Sequence, residues 1–292
     1  MEDVEPRAMI SPPYHCARPA AKGRMPQGVW RGTHAMGRLD GKGAVVTGGA
    51  GGIGKAIAAA FVREGAAVAI VDLDRAAVDA AMADTGAAIA IAADVTDLAA
   101  AEAMAATAIN ALGHVNIVVA NAGVSGRGRL ADIDEAMIDH VIGVNVKGVI
   151  LTAKVFAEHL TGIGKAGGDA NIINMSSQAG RKGWPELTVY SASKAAVMGF
   201  SRGLAVELAP YVRTNTICPG YIRDAGMLWR NWAAESDAAG EAHGKSFAEQ
   251  HWPLARLQGP EDVANAAVFL ASEEAQEITG QAINVSGGVV MD

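Results

Sequence analysis

The sequence predicts an α/β fold: one doubly wound parallel sheet of about seven strands with helices on both faces. Three observations carry this reading. From Gly43 onward, short apolar runs alternate with longer amphipathic stretches. The runs are nearly continuous in apolar residues rather than alternating, as expected of strands covered on both faces. A glycine-rich turn, "TGGAGGIG" at 47–54, joins the first run to the first helical pattern.

The elements follow in order. "AVVTG" (44–48) is a buried strand, and "GIGKAIAAAFVREG" (52–65) a helix closed by Gly65. "AVAIVD" (67–72) is the second strand, and "AAIAIAADV" (87–95) contains the third. "VNIVVANAG" (115–123), "ANIINMSS" (170–177), "VRTNTICPG" (212–220) and "QAINVSGG" (281–288) supply the fourth to seventh. Each crossover is expected to be right-handed. No linker divides residues 38–292, so they read as a single domain, with a lid over about 221–255 before the last helix. Ligands of such sheets bind beyond the carboxyl ends of the strands, where strand order reverses. That rule singles out Gly48 onward, Asp72, Asp94, Asn121, Ser176, Ser177 and residues 218–220.

Composition narrows the classes of function. Of 292 residues, 50% are hydrophobic and 19% charged, a core-forming balance. The formal net charge is -7 and no basic run occurs, so nucleic acid is not an expected partner. Two cysteines, Cys16 and Cys218, give no disulfide framework, and the seven histidines show no metal-ligand spacing. A reducing, cytoplasmic setting is the default expectation. No apolar run approaches the roughly 18 residues of a membrane span, so no membrane association is expected. Residues 1–37 hold several prolines, mixed charge and no apolar period, and read as a flexible extension. Met36 as the start, or an ordered arm reaching a partner subunit, are alternatives; Glu2, Asp3 and Glu5 argue against a transit peptide.

Glycines 48, 52 and 54 make a G-x-x-x-G-x-G turn that opens a helix. Bare backbone lets N–H groups approach a pyrophosphate, and the helix N-terminus favours its negative charge. Loops also collect glycine for conformational reasons, but the position between strand and helix favours the nucleotide reading. Asp72 ends the second strand, near the separation of about 20 residues expected of an acid that accepts from ribose hydroxyls. It would repel a 2′-phosphate, and Gly51 puts no basic residue inside the turn, so NAD is the expected cofactor. Asp72 could instead cap the following helix, a role for which Asp74 is better placed.

"VYSASK" (189–194) puts Tyr190 and Lys194 one turn apart on a helix face. Alone, the pair reads as a lysine stem covering a ring. With "TGGAGGIG" (47–54), Asp72, "DV" (94–95), "NAG" (121–123), "VNVKG" (144–148), "MSS" (175–177) and "CPG" (218–220), it resembles the short-chain dehydrogenase/reductase family over roughly residues 38–292. The resemblance implies a Rossmann-like fold and a catalytic set of Asn145, Ser177, Tyr190 and Lys194. Ser177 rather than Ser176 stands at the family's separation from the tyrosine. A tyrosine with a pKa of about 10 is a poor base near neutrality. A lysine ammonium and an oxidised nicotinamide nearby are expected to draw it down. Tyr190 would exchange the proton of the carbinol oxygen, Ser177 would donate to the same oxygen, and Lys194 would hold the nicotinamide ribose. Asn145 would anchor a water relay, or else simply bond backbone.

The resemblance further implies cofactor contacts from Gly48, Gly52, Ile53, Gly54, Asp72, Leu73, Asp94, Val95, Asn121, Ala122, Gly123, Tyr190, Lys194, Pro219, Gly220 and Ile222. Two positions depart from the family pattern. Ala120 precedes Asn121 where a second Asn is common, and Asp224 stands where Thr often holds the carboxamide. A carboxylate there can accept from that group but cannot donate.

For substrate, "SQAGRKGWPELTVYSASK" (177–194) looks most like the branch handling acetoin, butanediol and sugar alcohols. Ser177, Gln178, Tyr190 and Trp229 are the expected contacts. Gln178 would bond a second oxygen beside the reacting one. Trp229 and Trp232 would wall a lid, or serve only as packing, and His243 and His251 read as surface residues. The implied activity is interconversion of a secondary alcohol and a ketone on a small hydroxyketone, diol or polyol. The alternatives are a 3-oxoacyl or cyclic-alcohol dehydrogenase, or a non-catalytic NAD(H) sensor, which tends to lack the Tyr or Lys present here. Relatives are mostly tetramers, so a homotetramer is expected.

Overall fold

The computed structural model describes residues 37–223, Ala233 and 236–291. The extension, Asp224, Trp229 and Trp232 lie outside the described residues, as does part of the expected lid. Seven parallel strands form one sheet in the order β3-β2-β1-β4-β5-β6-β7. They are β1 (Gly43–Thr47), β2 (Ala67–Asp72), β3 (Ile89–Ala92), β4 (Ile117–Ala120), β5 (Asn171–Met175), β6 (Arg213–Pro219) and β7 (Ala282–Val285). Each falls inside or within a residue of its expected run. The order reverses between β1 and β4, which pair directly through Val45 and Val118. That is the switch point, and the crevice opens there.

The helices are α1 (Gly52–Arg63), α2 (Arg75–Thr85), α3 (Leu98–Leu112), α4 (Glu135–Ile142), α5 (Val149–Lys165), α6 (Thr188–Leu208), α7 (Asp237–His251) and α8 (Pro260–Ala271). Successive strand residues send side chains to opposite faces, which splits the core in two. Val46, Ile70, Val119 and Ile173 pack with Phe61 of α1 and Leu270 of α8. Val45, Val71, Val118 and Ile172 pack with Met104 of α3 and Phe156 of α5. Asp74, not Asp72, caps α2, accepting from the N–H of Ala76 at 2.8 Å.

The helical run Glu135–Lys165 differs from expectation. Helices α4 and α5 are joined by a π-helical turn, Gly143–Gly148, into 31 residues long and apolar enough, by length and composition, to cross a membrane. No single apolar run reveals this, because charged residues interrupt the sequence. The apolar positions have a packing account: Leu151, Phe156 and Leu160 sit on the sheet.

At the edge where the strands begin, one carboxylate organises four segments. Asp169 accepts from Lys42 Nζ at 2.6 Å and from the guanidinium of Arg213 at 3.3 Å. Arg213 also donates to the main-chain oxygens of Leu270 and Ala275, which ties β6 to the end of α8. Lys42 and Arg213 side chains are only 12% and 11% exposed, so removing Asp169 strands two nearly buried cations. The Asp169→Ala variant is expected to lose about 3 kcal/mol, seen as a fall of roughly 5–10 °C in thermal midpoint. An unchanged midpoint would show that the ion pairs contribute nothing.

Candidate active site

The crevice beyond the strand ends has a volume of about 850 Å³ and runs from Asp72 at one end to Ser177 and Tyr190 at the other. At the first end, Gly48 has φ 63 and Gly52 φ 49, left-handed values that glycine adopts without strain. A Cβ on Gly54 would lie 2.0 Å from the oxygen of Gly48, so only glycine lets α1 start this close to the turn. Asn121 Nδ2 donates to the oxygens of Thr47 and Gly48 and fixes the turn from below. Asp72 Oδ2 accepts from Ala50 N at 3.1 Å and Oδ1 from Leu73 N at 2.8 Å. These bonds aim the carboxylate across the turn and leave lone pairs for a further donor.

The fourth to sixth strand ends build the other end. Ser177 opens a 3-10 turn (Gln178–Gly180), its Oγ accepting from Ala179 N. Ser176, its neighbour, is buried and donates to the main-chain oxygen of Lys194 at 2.7 Å. Tyr190 and Lys194 lie on α6, and Lys194 Nζ stands 5.8 Å from the centre of the Tyr190 ring. Above Gly123, a Cβ would lie 3.1 Å from Lys194 Nζ and 3.2 Å from Asn145 Oδ1. A side chain at Gly123 would therefore crowd the amine and the amide.

The proton energetics differ from the expectation. Burial holds the Tyr190 phenol above its ordinary value, and a hydrogen bond with Ser177 offsets only part of that. Lys194 donates to the main-chain oxygen of Met175 at 3.1 Å, and burial pushes its own pKa down to about 8. Spacing places the ammonium beside the phenol, but desolvation opposes the charged form of each.

Asn145 sits in the π-helical turn, fully buried. Its Oδ1 accepts from Val124 N and its Nδ2 donates to Val124 O, both at 2.8 Å, and to Ser193 Oγ at 3.0 Å. The side chain thus bonds backbone, the second of the two roles expected, and ties the β4 segment to α6. Gln178 is 4% exposed, and its Oε1 has no hydrogen-bond partner among the described residues.

All expected cofactor positions line the crevice: Gly48, Ile53, Gly54, Asp72, Leu73, Asp94, Val95, Asn121, Ala122, Gly123, Tyr190, Lys194, Pro219, Gly220 and Ile222, with Gly52 at the mouth of the turn as the exception. Asp94 Oδ1 accepts from Thr96 N at 2.8 Å. Asn145 and Gln178 stand behind the lining. Ala93, Val124, Ser125 and His140, which sequence reading did not single out, also line it, as do Val144 and Met175 of the quoted motifs, to which no role had been given. Met175 and Ser125 adjoin strand ends and could have been found by that rule, whereas His140 and Val144 reach the crevice from the α4 side. His243 and His251 are exposed, as expected.

The chain fits a dinucleotide: a bare glycine turn, a helix N-terminus and a carboxylate beyond β2 line one continuous crevice. Comparison with known proteins agrees. A family described as enoyl-(acyl carrier protein) reductase matches residues 48–290. A 2-(S)-hydroxypropyl-CoM dehydrogenase of Xanthobacter autotrophicus is 37% identical over 257 residues, covering 86% of this chain and 98% of that protein. A sorbitol dehydrogenase of Cereibacter sphaeroides is 38% identical over 258 residues, covering 86% and 98%. Among solved structures, a 3-ketoacyl-(acyl-carrier-protein) reductase of Brucella melitensis complexed with NADH matches with a TM-score of 0.77 at 32% identity, covering 87% of this chain and 100% of that one. With this fold, this crevice and these relatives, the chain belongs to the short-chain dehydrogenase/reductase family, near its polyol dehydrogenases, and is an oxidoreductase acting on CH–OH groups.

Proposed function

We propose that the protein is an NAD(H)-dependent dehydrogenase that interconverts a secondary alcohol and a ketone on a small hydroxyketone, diol or polyol. The observation that carries this is that Ser177, Tyr190 and Lys194 line the crevice together, the Lys194 amine 5.8 Å from the Tyr190 ring centre, with Asp72 in the same lining.

A bound nicotinamide supplies the hydride exchange. The protein orients the substrate and moves the proton. Ser177 Oγ donates to the carbonyl oxygen, and Tyr190 gives its proton to the same oxygen, or takes it from the alcohol in reverse. Lys194 would hold the nicotinamide ribose with its ammonium, and Gly48, Gly52, Ile53 and Gly54 would meet the pyrophosphate. Asp72 would accept from the adenosine ribose. Asp72 and Asp94 are the fixed charges at that end of the crevice, with no arginine or lysine among its described lining there. A 2′-phosphate would meet uncompensated carboxylates, which supports NAD over NADP. The likeness to a sorbitol dehydrogenase supports a substrate with a second hydroxyl, whereas Gln178, buried behind the lining, is not placed to contact it.

Three outcomes test this reading. On the best member of a panel of diols, polyols, hydroxyketones and cyclic alcohols, followed by NADH absorbance, Tyr190→Phe is expected to lower kcat by about a hundredfold to ten-thousandfold. Unchanged turnover would remove Tyr190 from the chemistry. NADH is expected to outperform NADPH in kcat/KM, and Asp72→Ser to narrow the ratio by about tenfold as the like-charge repulsion is lost. Preference for NADPH in the unaltered enzyme refutes the cofactor assignment. The third outcome concerns pH. Lys194 carries its proton below about 8 and loses it above, so NADH binding that needs the ammonium weakens as pH rises through about 8. Fluorescence titration should show the dissociation constant of NADH rising severalfold across that range, with the dependence lost in Lys194→Met. A flat profile in the unaltered protein contradicts the role of the amine.

A further inference from the structure

Beside Ser177 and Tyr190 the crevice is bounded by three segments at the ends of β4, β5 and β6. Their composition runs against the rest of the chain. Residues 124–129, 177–188 and 220–223 carry five cations, Arg127, Arg129, Arg181, Lys182 and Arg223, against one carboxylate, Glu186, in a protein of formal net charge -7. Asp72 and Asp94 stand at the opposite end of the crevice. Asp72 and Asp94 are thus part of the lining, while these five cations stand on the flanking segments outside it.

Arg127 is the cation the fold prepares. Its Nε donates to Glu186 Oε2 at 2.6 Å, while Gly128 N donates to Glu186 O at 2.9 Å. Glu186 is held at φ 63, a left-handed conformation that costs a non-glycine residue about 1–3 kcal/mol and points to a constrained site. This clamp engages only one edge of the guanidinium. The two terminal nitrogens have no partner among the described residues, although the side chain is 42% exposed. Arg127 stands two residues after Ser125, which lines the crevice, on its flank rather than in the lining; burial raises the Tyr221 phenol and the Arg127 charge partly offsets this, Tyr221 lying between the lining residues Gly220 and Ile222. Tyr221 is itself fixed, stacked on Trp252 and edge-on to Trp184, with ring centres 5.7 Å apart in both cases. Arg181 is committed elsewhere, to the main-chain oxygen of Ala282, Lys182 lies over the Trp184 ring, Arg129 stands 3.9 Å from the Asp132 carboxylate just beyond its segment, and Arg223 faces Glu261.

We propose that the substrate carries a carboxylate away from its reacting carbinol, and that the free edge of the Arg127 guanidinium binds it. This deepens the polyol-type reading above and rests on it. The two terminal N–H groups of an arginine match the two oxygens of a carboxylate, and a group so read gains both orientation and electrostatic guidance into the crevice.

The test compares gluconate with sorbitol, the neutral alcohol of the same carbon skeleton. Each is titrated calorimetrically into the NAD⁺-saturated full chain, and each is assayed for turnover. Gluconate is expected to bind about tenfold or more tightly than sorbitol at low ionic strength, with the advantage shrinking as salt is added. Arg127→Gln should weaken gluconate about tenfold more than it weakens sorbitol, and Arg127→Lys should restore part of the difference. Glu186→Gln frees the guanidinium from its competitor and should tighten gluconate, which keeps the test open if Arg127→Gln folds poorly. Sorbitol binding as well as gluconate, or equal losses on both in Arg127→Gln, overturns the carboxylate site and leaves the polyol reading standing. Failure of both to bind, with turnover of a cyclic alcohol, overturns the two together.

Discussion

A lysine amine buried with no carboxylate bonded to it among the described residues is the constraint around which the site is arranged. Lys194 is 3% exposed, and its Nζ has Met175 O as its hydrogen-bond acceptor among the described residues. Burying such a group disfavours its charged form, and the depressed pKa is the sign of that cost. The surroundings show how the seat is kept. Ser176 Oγ grips the lysine's main-chain oxygen. A Cβ on Gly180 would lie 2.8 Å from the main-chain carbon of Lys194, so only glycine allows the 3-10 turn to pass there. Gly123 leaves the amine uncrowded, and Asn145 holds the β4 segment against α6 through Ser193, which in turn donates to Tyr190 O. Main-chain contacts thus help place Tyr190 and Lys194.

The same economy shows in the charges of the crevice. Its fixed charges are few, and they are segregated, with carboxylates at the β2 and β3 ends and the amine toward the β5 and β6 ends. Ligand hydroxyls at the first end would donate to the carboxylates, while the amine at the other end suits an oxygen acceptor. Low dielectric inside the crevice strengthens such terms relative to water.

Much of this was legible in the sequence because it rests on local signals. Seven apolar runs marked seven strands, since a strand covered on both faces has no polar side to interrupt it. Gly48, Gly52 and Gly54 announced the turn, and Asp72 announced itself by ending β2. What stayed hidden depends on burial or on encounters between distant segments. The spacing of Tyr190 and Lys194 gave their neighbourhood but not the desolvation that raises one and lowers the other. The Asp169 ion pairs join positions scattered from Lys42 to Arg213, and the Trp184–Tyr221–Trp252 stack joins three loops. No period connects such residues. Nor does any run reveal that α4 and α5 continue through a π-helical turn, in which Asn145 is held by bonds to distant Val124 and Ser193.

The parallel sheet has two edges with different tasks. The carboxyl edge carries the crevice, and the amino edge carries the Lys42–Asp169–Arg213 knot, with a full strand length between them. Energetic effects of residues so far apart and without shared partners generally add. Selection could thus reshape what the molecule recognises at one rim while leaving its fastening at the other rim untouched, and each rim could drift at its own pace.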